Sequence, residues 1–349
     1  NNVTDLKNNL FGSFSATLKP FKWLSFSSTN TLTLTNVNTN DYLDSRTYSG
    51  NHSRNEMSNG VLKVDDERSW TFLTSNILRL QHSFGEHNLS GLVGQEWYER
   101  HTRSSHIEMY DQMIAGERNV GGFSKQGDKT NPAVIPTGAE RESGSFSVFS
   151  EVNYNYAGKY MASASFRTDG STNFGKDNRY GTFYSFSGSW LVSREAFMAR
   201  QDVVSNLKLR MSYGTSGKEA GMDYLNYTLY STSNTTFDYY RDHPVYQSAY
   251  GATINQLGND QLSWETAYNL NIGVDVALLN NRISLSADWY KRRNSDLIMS
   301  TTLPAANGVG RQYQNVGEME NRGVELVLNT HTMKGEDFNW FTTLTFSYN

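Results

Sequence analysis

The sequence predicts an all-β protein, an antiparallel transmembrane β-barrel, and three observations carry that expectation. Apolar and polar residues alternate over most of the chain, the breaks between alternating runs are short and long in turn, and aromatic residues gather near the short breaks.

The alternation is clearest in "YNLNIGVDVALLNNRISLSADWY", where Tyr268, Leu270, Ile272, Val274, Val276 and Leu278 share one side of an extended chain. Asn269, Asn271, Gly273, Asp275 and Ala277 take the other. After Asn280 and Asn281 the pattern resumes with Ile283, Leu285, Ala287 and Trp289, and Asn tolerates the positive φ of a two-residue hairpin turn. Five more hairpins follow the same rule. Leu10, Phe14, Ala16 and Leu18 turn at "KPFK" and return through Leu24, Phe26, Leu32 and Leu34. Trp70, Phe72, Leu78 and Leu80 turn near "FGEH" and return through Leu89, Gly91, Val93 and Trp97. Phe146, Val148, Val152, Tyr154 and Tyr156 turn at "AGK" and return through Ala162, Ala164 and Phe166. "RYGTFYSFSGSWLVS" and "SNLKLRMSYGTSG" flank "REAFMARQDV", a short helical turn, with Leu207, Leu209, Met211 and Tyr213 set against Lys208, Arg210 and Ser212. "RGVELVLNT" and "FNWFTTLTFSYN" join through "MKGED". The sum is roughly six hairpins and twelve membrane-length strands.

Between them lie long connections, at about 37–66, 104–142, 168–178, 216–262 and 296–312. Short turns at one rim and long loops at the other are the arrangement of bacterial outer-membrane barrels, whereas a sandwich distributes its loops over both ends. The 216–262 connection is too long to be structureless in a compact domain and is expected to fold over the barrel mouth. Phe21, Trp23, Phe84, Tyr154, Tyr156, Tyr160, Trp190, Phe197, Phe338 and Trp340 lie near the tight turns, as an interfacial girdle requires. High β-propensity alone would also place aromatics in strands. Two opposite solvents explain the pattern: the apolar face meets lipid, the polar face a water-filled or plugged lumen, and no hydrocarbon core is needed.

Composition agrees with this reading. The 349 residues include no Cys, 5 Pro, 28 Gly, 21 Tyr, 18 Phe and 7 Trp, a mixture rich in strand and turn formers. Without cysteine there are no disulfides and no thiolate metal sites. A net charge of -4 with scattered basic residues points away from nucleic acid. Mean hydropathy is -0.61 and no run approaches the roughly 18 apolar residues of a spanning helix, but a barrel strand needs only about 10 residues with alternate ones in lipid. The opening "NNVTDLKNNLFGSF" lacks the basic and apolar regions of a signal peptide, so the chain is expected to be processed or a piece of something longer.

Several long stretches resemble one family. "VFSEVNYNYAGKYMASASFRTDGSTNFGKDNRYGTFYSFSGSWLVSREAFM", "VSNLKLRMSYGTSGKE", "LSWETAYNLNIGVDVALLNNRISLSADWYKRRNSDLI" and "NVGEMENRGVELVLNT" are similar, in order, to SusC/RagA-type TonB-linked outer-membrane transporters. One departure is Asn173, where relatives commonly carry Arg in "DGSSRFG", which puts in doubt a salt bridge made by that Arg. The resemblance implies a plugged barrel of about 22 strands. Residues 1–349 would then be part of one barrel domain, without its plug domain, TonB box or C-terminal closing strands. It further implies uptake of glycans or peptides across the outer membrane of a Gram-negative, Bacteroidota-like bacterium. The implied partners are a SusD-like surface lipoprotein as lid, the TonB–ExbB–ExbD complex reached through an N-terminal region, and outer-membrane lipid.

Other motifs carry less. "GSTNFGKD" nearly spells a phosphate-binding loop, but Asp177 follows Lys176 where Ser or Thr is needed, and strands flank it. Asp169, Asn173, Asp177 and Asn178 offer oxygens to Ca²⁺, yet Asx-rich turns need no ion. The seven histidines show no metal spacing, and His82 and His87 flank a turn where they are expected to be solvated. Nothing fixes the separation of Glu142, Glu151, Asp275 and Asp288 as an acid and base pair, and no "GxSxG" elbow is present. No enzyme activity, metal or cofactor is therefore expected. The candidate ligand contacts are Tyr239, Tyr240, Arg241, Tyr246 and Tyr250 in the longest loop, flat rings beside polar groups suited to sugars or peptides. The alternative reading is a soluble glycan-binding β-sandwich, which would pair its apolar faces inward.

Overall fold

The computed structural model describes residues 2–51, 59–126, 137–231, 245–246, 249–250, 253–304, 306 and 308–349. Its strands are β1 (Asn2–Phe21), β2 (Leu24–Leu43), β3 (Val61–Phe84), β4 (His87–Gln112), β5 (Phe123–Gln126), β6 (Thr137–Tyr156), β7 (Tyr160–Ser171), β8 (Tyr180–Leu191), β9 (Val204–Lys218), β10 (Leu229–Ser231), β11 (Val245–Tyr246), β12 (Ala249–Tyr250), β13 (Thr253–Gln256), β14 (Glu265–Leu278), β15 (Ile283–Thr302), β16 (Arg311–Lys334) and β17 (Asn339–Tyr348). Twelve of them form one antiparallel path, β1-β2-β3-β4-β6-β7-β8-β9-β14-β15-β16-β17, with β5 hydrogen-bonded to β4. All six expected hairpins are present, each pairing neighbours in sequence. The "REAFMARQDV" segment forms 3₁₀ turns at Val192–Arg194 and Ala196–Met198. Among the described residues no helix is long and apolar enough to cross a membrane.

Register shows that the alternation is one continuous surface. Leu18 opposes Phe26, Phe26 opposes Leu78 and Leu78 opposes Val93, so one apolar row crosses four strands. Further round, Leu209 opposes Val274, and Val274 opposes Ala287. This face is bare. Phe14 is 70% exposed, Phe186 56% and Met211 54%, values that a sandwich core would not allow. The soluble sandwich is thereby set aside, because a single large sheet keeps its apolar side open.

The apolar stretch runs from Leu89 to Trp97 on β4 and from Trp190 back to Tyr180 on β8, close to the roughly 9–11 residues that a tilted membrane strand requires. Its lower margin is an aromatic row beside the tight turns, running from Phe84 to His87 (4.9 Å, stacked), His87 to Tyr156 (4.7 Å, tilted), Tyr156 to Tyr160 (6.3 Å, stacked) and Tyr160 to Trp190 (6.2 Å, stacked). His87, expected to be solvated, belongs to this row and also meets the Tyr154 hydroxyl at 2.7 Å. Across β2 and β3 the belt is interrupted by Asn30 and Thr74, which satisfy each other through a 2.7 Å hydrogen bond.

The strands are longer than the apolar pattern. β3 has 24 residues, β4 26 and β16 24, so the long connections shrink to 44–60, 113–136, 172–179, 219–264 and 303–310. The reason is physical: alternation ends where lipid ends, but the backbone ladder continues in water with polar residues on both faces. The Lys291–Glu320 (3.1 Å) and Arg293–Glu318 (2.7 Å) pairs mark this zone, just beyond Trp289 on the belt side. Hydrophobic cores are confined to the long-loop end. One gathers Tyr42, Leu62, Met109 and Phe123, the other Phe174, Ala220, Leu225 and Leu262.

The two faces make a direct prediction. Val152→Arg puts a charge into the apolar belt and should cost about 2–4 kcal/mol, while Asn153→Arg on the polar face should stay within about 0.5 kcal/mol. Denaturant titration of the complete barrel in lipid bilayers measures both, and equal costs would reverse the assignment of faces.

Candidate functional site

The polar face carries two arginine-centred networks, each tying three strands. On the first, the Arg167 guanidinium donates to Asp169 (2.6 Å), Ser147 (3.0 Å) and Glu96 (3.5 Å) and lies 5.2 Å over the Phe149 ring. Phe149 in turn covers Gly94, where a Cβ would fall 2.3 Å from the ring. On the second, Arg210 donates to both oxygens of Asp275 (2.8 and 3.0 Å), to both of Asp288 (2.8 and 2.9 Å) and to Ser286 (3.0 Å). Gly273 opposes Arg210 and Asp288, and its missing Cβ leaves room for them: an added carbon would sit 2.6 Å from Asp288 Oδ1 and 2.8 Å from Arg210 Cζ. Each arginine thus meets two carboxylates, and Arg210 holds both of its partners in bidentate geometry, which fixes orientation as well as adding strength.

Between the networks the wall is low and hydroxylic. Ser163 meets Ser187 and Ser165 meets Ser185, both at 2.6 Å, and small side chains here open a concavity of about 520 Å³. Asn88, Ser90, Asn153, Lys208, Arg210 and Asn271 are among its lining residues. Such a surface offers hydrogen bonds of both senses without a concentrated charge.

The long-loop rim is built separately. Phe174, in the stretch that imitates a phosphate loop, is fully buried against Leu225 and Leu262, with the Trp264 ring tilted against it at 5.1 Å. The glycines there turn a loop around an apolar anchor. Asn173 donates to Glu219 (2.6 Å), and Ser171 donates to the same carboxylate, so this position faces an acidic partner. Asn259 donates to the Tyr313 carbonyl (2.8 Å) and Asn315 to the Ser263 carbonyl (2.9 Å), clamping the stem of the longest loop onto β16.

Of the candidate ligand contacts, Tyr239, Tyr240 and Arg241 lie outside the described residues. Tyr246 and Tyr250 are on the small β11–β12 hairpin, where Val245 pairs Tyr250 and Tyr246 pairs Ala249. Three of the four residues considered for Ca²⁺ are engaged separately: Asp169 accepts from Arg167 (2.6 Å), the Asn173 amide donates to Glu219 (2.6 Å), and the Asn178 amide donates to the Asp260 carbonyl (3.3 Å). Among the described residues no group of three metal-ligating side chains forms. Glu142 pairs with His101 (3.1 Å), while Glu151 accepts from Asn153 (2.6 Å) on the polar face and Asp275 and Asp288 are held by Arg210, so the four carboxylates do not converge. Arg167 and Arg210 escaped the sequence reading as hubs. For Arg210 the signal was an arginine between Leu209 and Met211, but which carboxylates face either arginine depends on register.

At the tight-turn rim Glu195 accepts from the Tyr160 hydroxyl (2.6 Å), the Trp190 indole (3.0 Å) and the Lys159 ammonium (3.2 Å). The Tyr160 bond above all, then that of Trp190, holds this carboxyl below the usual carboxylate range against the opposing effect of desolvation.

The whole described surface has a counterpart among known proteins. The family model "TonB dependent receptor-like, beta-barrel" matches residues 2–349. The chain belongs to this family. Two TonB-dependent receptors of Formosa agariphila are 35% identical over 280 residues and 31% identical over 350, covering 79% and 98% of this chain. TonB-dependent receptor SusC of Bacteroides thetaiotaomicron is 33% identical over 205 residues, 58% of this chain and 20% of SusC. The RagAB peptide transporter structure superposes over 99% of this chain and 36% of its own with a TM-score of 0.82 at 25% identity. The chain spans 26% and 33% of the two Formosa relatives, about a quarter to a third of their length. In a barrel of this family the bare apolar face is the outer wall, and the two arginine networks look into the lumen.

Two expectations follow for the site. Arg210→Met should destabilise the barrel by roughly 1–3 kcal/mol, a range that allows for its partial exposure, because two facing carboxylates lose their counter-charge. Adding Asp275→Asn and Asp288→Asn should recover most of that loss in the same unfolding assay. For Glu195, a carboxyl whose pKa is lower folded than unfolded contributes stability that is complete above about pH 4.3 and fades as pH falls through the lowered value. Glu195→Gln should therefore flatten the acid limb of stability against pH while leaving the neutral limb parallel to the parent.

Proposed function

We propose that the chain is wall, rim and loops of an outer-membrane TonB-dependent importer in a Gram-negative, Bacteroidota-like bacterium, taking up oligosaccharides or peptides with a SusD-like surface lipoprotein as lid. The observation that carries this reading is the bare apolar belt, one membrane thickness deep and edged by aromatic rows, on the back of a polar, ion-paired face. Only a protein with lipid outside and water or a plug inside has use for both. The relatives support it: RagAB is a peptide transporter, and SusC a TonB-dependent receptor.

In this reading the wall belongs to a barrel of about 22 strands. Among the described residues β1 and β17 each pair on one side only, and a bilayer does not tolerate such edges, so other strands of the complete protein close the cylinder. A ligand held between loops and plug would be released inward when the TonB–ExbB–ExbD complex pulls on the plug. The chain's own contribution is passive and geometric: a rigid wall, a hydroxylic lumen and a clamped loop stem. No chemical step is assigned to it.

The test is made on the complete protein in cells. The expected result is recovery in the detergent-extracted outer membrane, surface protease cleavage within 219–264 on intact cells, and ligand uptake that stops when the TonB complex is deleted. Recovery as a folded soluble monomer would overturn the proposal.

A further inference from the structure

The outer wall has a notch at the level of its upper aromatic residues. β7 and β8 have 12 residues each, against 20 in β6 and 26 in β4, so beyond Ser171 one edge of β6 lacks a neighbouring strand. Side chains and turns close it instead. Gly144 N–H donates to Thr172 Oγ1 (2.9 Å), Thr172 N–H to the Gly144 carbonyl (3.0 Å), and Glu142 N–H to the Tyr224 hydroxyl (2.7 Å). What remains is a pocket of about 570 Å³.

Its walls differ from the lumenal concavity. Trp97 and Phe146 meet edge to face at 6.3 Å, and Tyr180 and Tyr227 stand 63% and 54% exposed. Glu99, Glu142 and Arg179 supply the charge, and Arg179 Nε is buried with no hydrogen-bond partner among the described residues. That N–H is a donor without an acceptor among them.

Position decides what can arrive. Trp97 is the last apolar belt residue before Glu99 on β4, and Tyr180 opens β8 at the same margin, so the pocket lies where acyl chains give way to headgroups. Charge decides the headgroup. Two carboxylates beside one arginine would repel a bare phosphate, whereas a polyhydroxylated ring donates to Glu99 and Glu142, accepts from Arg179 and lays its C–H face on tyrosine rings. We propose that this notch holds the sugar-type headgroup of an outer-leaflet glycolipid, with its tail against Trp97 and Phe146. The inference rests on the membrane placement proposed above and goes beyond it, since the ligand is a resident amphiphile rather than cargo.

The same sugar chemistry could be presented by a soluble saccharide, so the test separates the two. The complete barrel, held in amphipol, is titrated by native mass spectrometry with n-dodecyl-β-maltoside below its micelle threshold, with maltose, and with dodecylphosphocholine. Retention of the maltoside is expected, with the other two weaker by roughly 100-fold and roughly tenfold. Arg179→Gln and, as a surface variant that leaves the fold untouched, Tyr227→Ala should each weaken the maltoside by about tenfold, whereas Lys291→Gln elsewhere on the outer wall should not. Equal binding of maltose would make this a soluble-sugar subsite, and equal binding of dodecylphosphocholine a nonspecific belt; either result, or indifference to both variants, overturns the proposal. Outer-membrane fractionation is read independently, so a correctly inserted barrel that ignores the maltoside sinks this inference alone.

Discussion

Everything in the structure depends on the need of each backbone N–H and C=O to find a partner where water is absent. In hydrocarbon an unpaired group costs several kilocalories per mole, and the neighbouring strand is the partner that an extended chain can reach. The continuous register from β1 to β17 answers that need across the apolar belt. Side chains then adapt to a ladder whose position is set by the backbone. Apolar groups face lipid, where they need fit nothing in particular, and polar groups face inward.

This inverts the usual relation between core and surface. Close packing appears at the ends, where the chain leaves the membrane and loops must be held in one place. Phe174, Leu225, Leu262 and Trp264 make such a miniature core, and Asn259 and Asn315 fasten it to β16. At the other rim Glu195 gathers the ends of β7 and β8 through three donors from Lys159, Tyr160 and Trp190. In mid-wall, where lipid gives no cohesion between strands, Arg167 and Arg210 add links beyond the ladder.

Much of the wall was legible in the sequence because period-2 alternation reports directly which face meets lipid. All six hairpins, the twelve-strand path and the aromatic row near the turns follow from it. The hairpin turn at Asn280 and Asn281 was legible as well, though the neighbourhood of Asp275 and Asp288 that its register creates was left open. That Arg210 joins them was not legible, because β9 and β14 are separated by the 219–264 connection and no local signal sets their offset. Strand ends were missed for a different reason: above the membrane both faces are wet, so alternation vanishes while pairing persists. The anchor at Phe174 was hidden because one phenylalanine among Gly, Asn and Asp has no period.

The same physics explains where specificity can reside. If lipid and ladder secure the fold, substitutions on the lumenal face cost little stability so long as the arginine hubs keep their carboxylates. Ser163, Ser165, Ser185 and Ser187 show the freedom this leaves, for small hydroxyls fill positions that a packed core would give to bulky apolar groups. The stem of the longest loop is fastened to β16 through Asn259 and Asn315. A wall stabilised from outside can therefore change what passes within it, and the residues most open to change are those furthest from the belt.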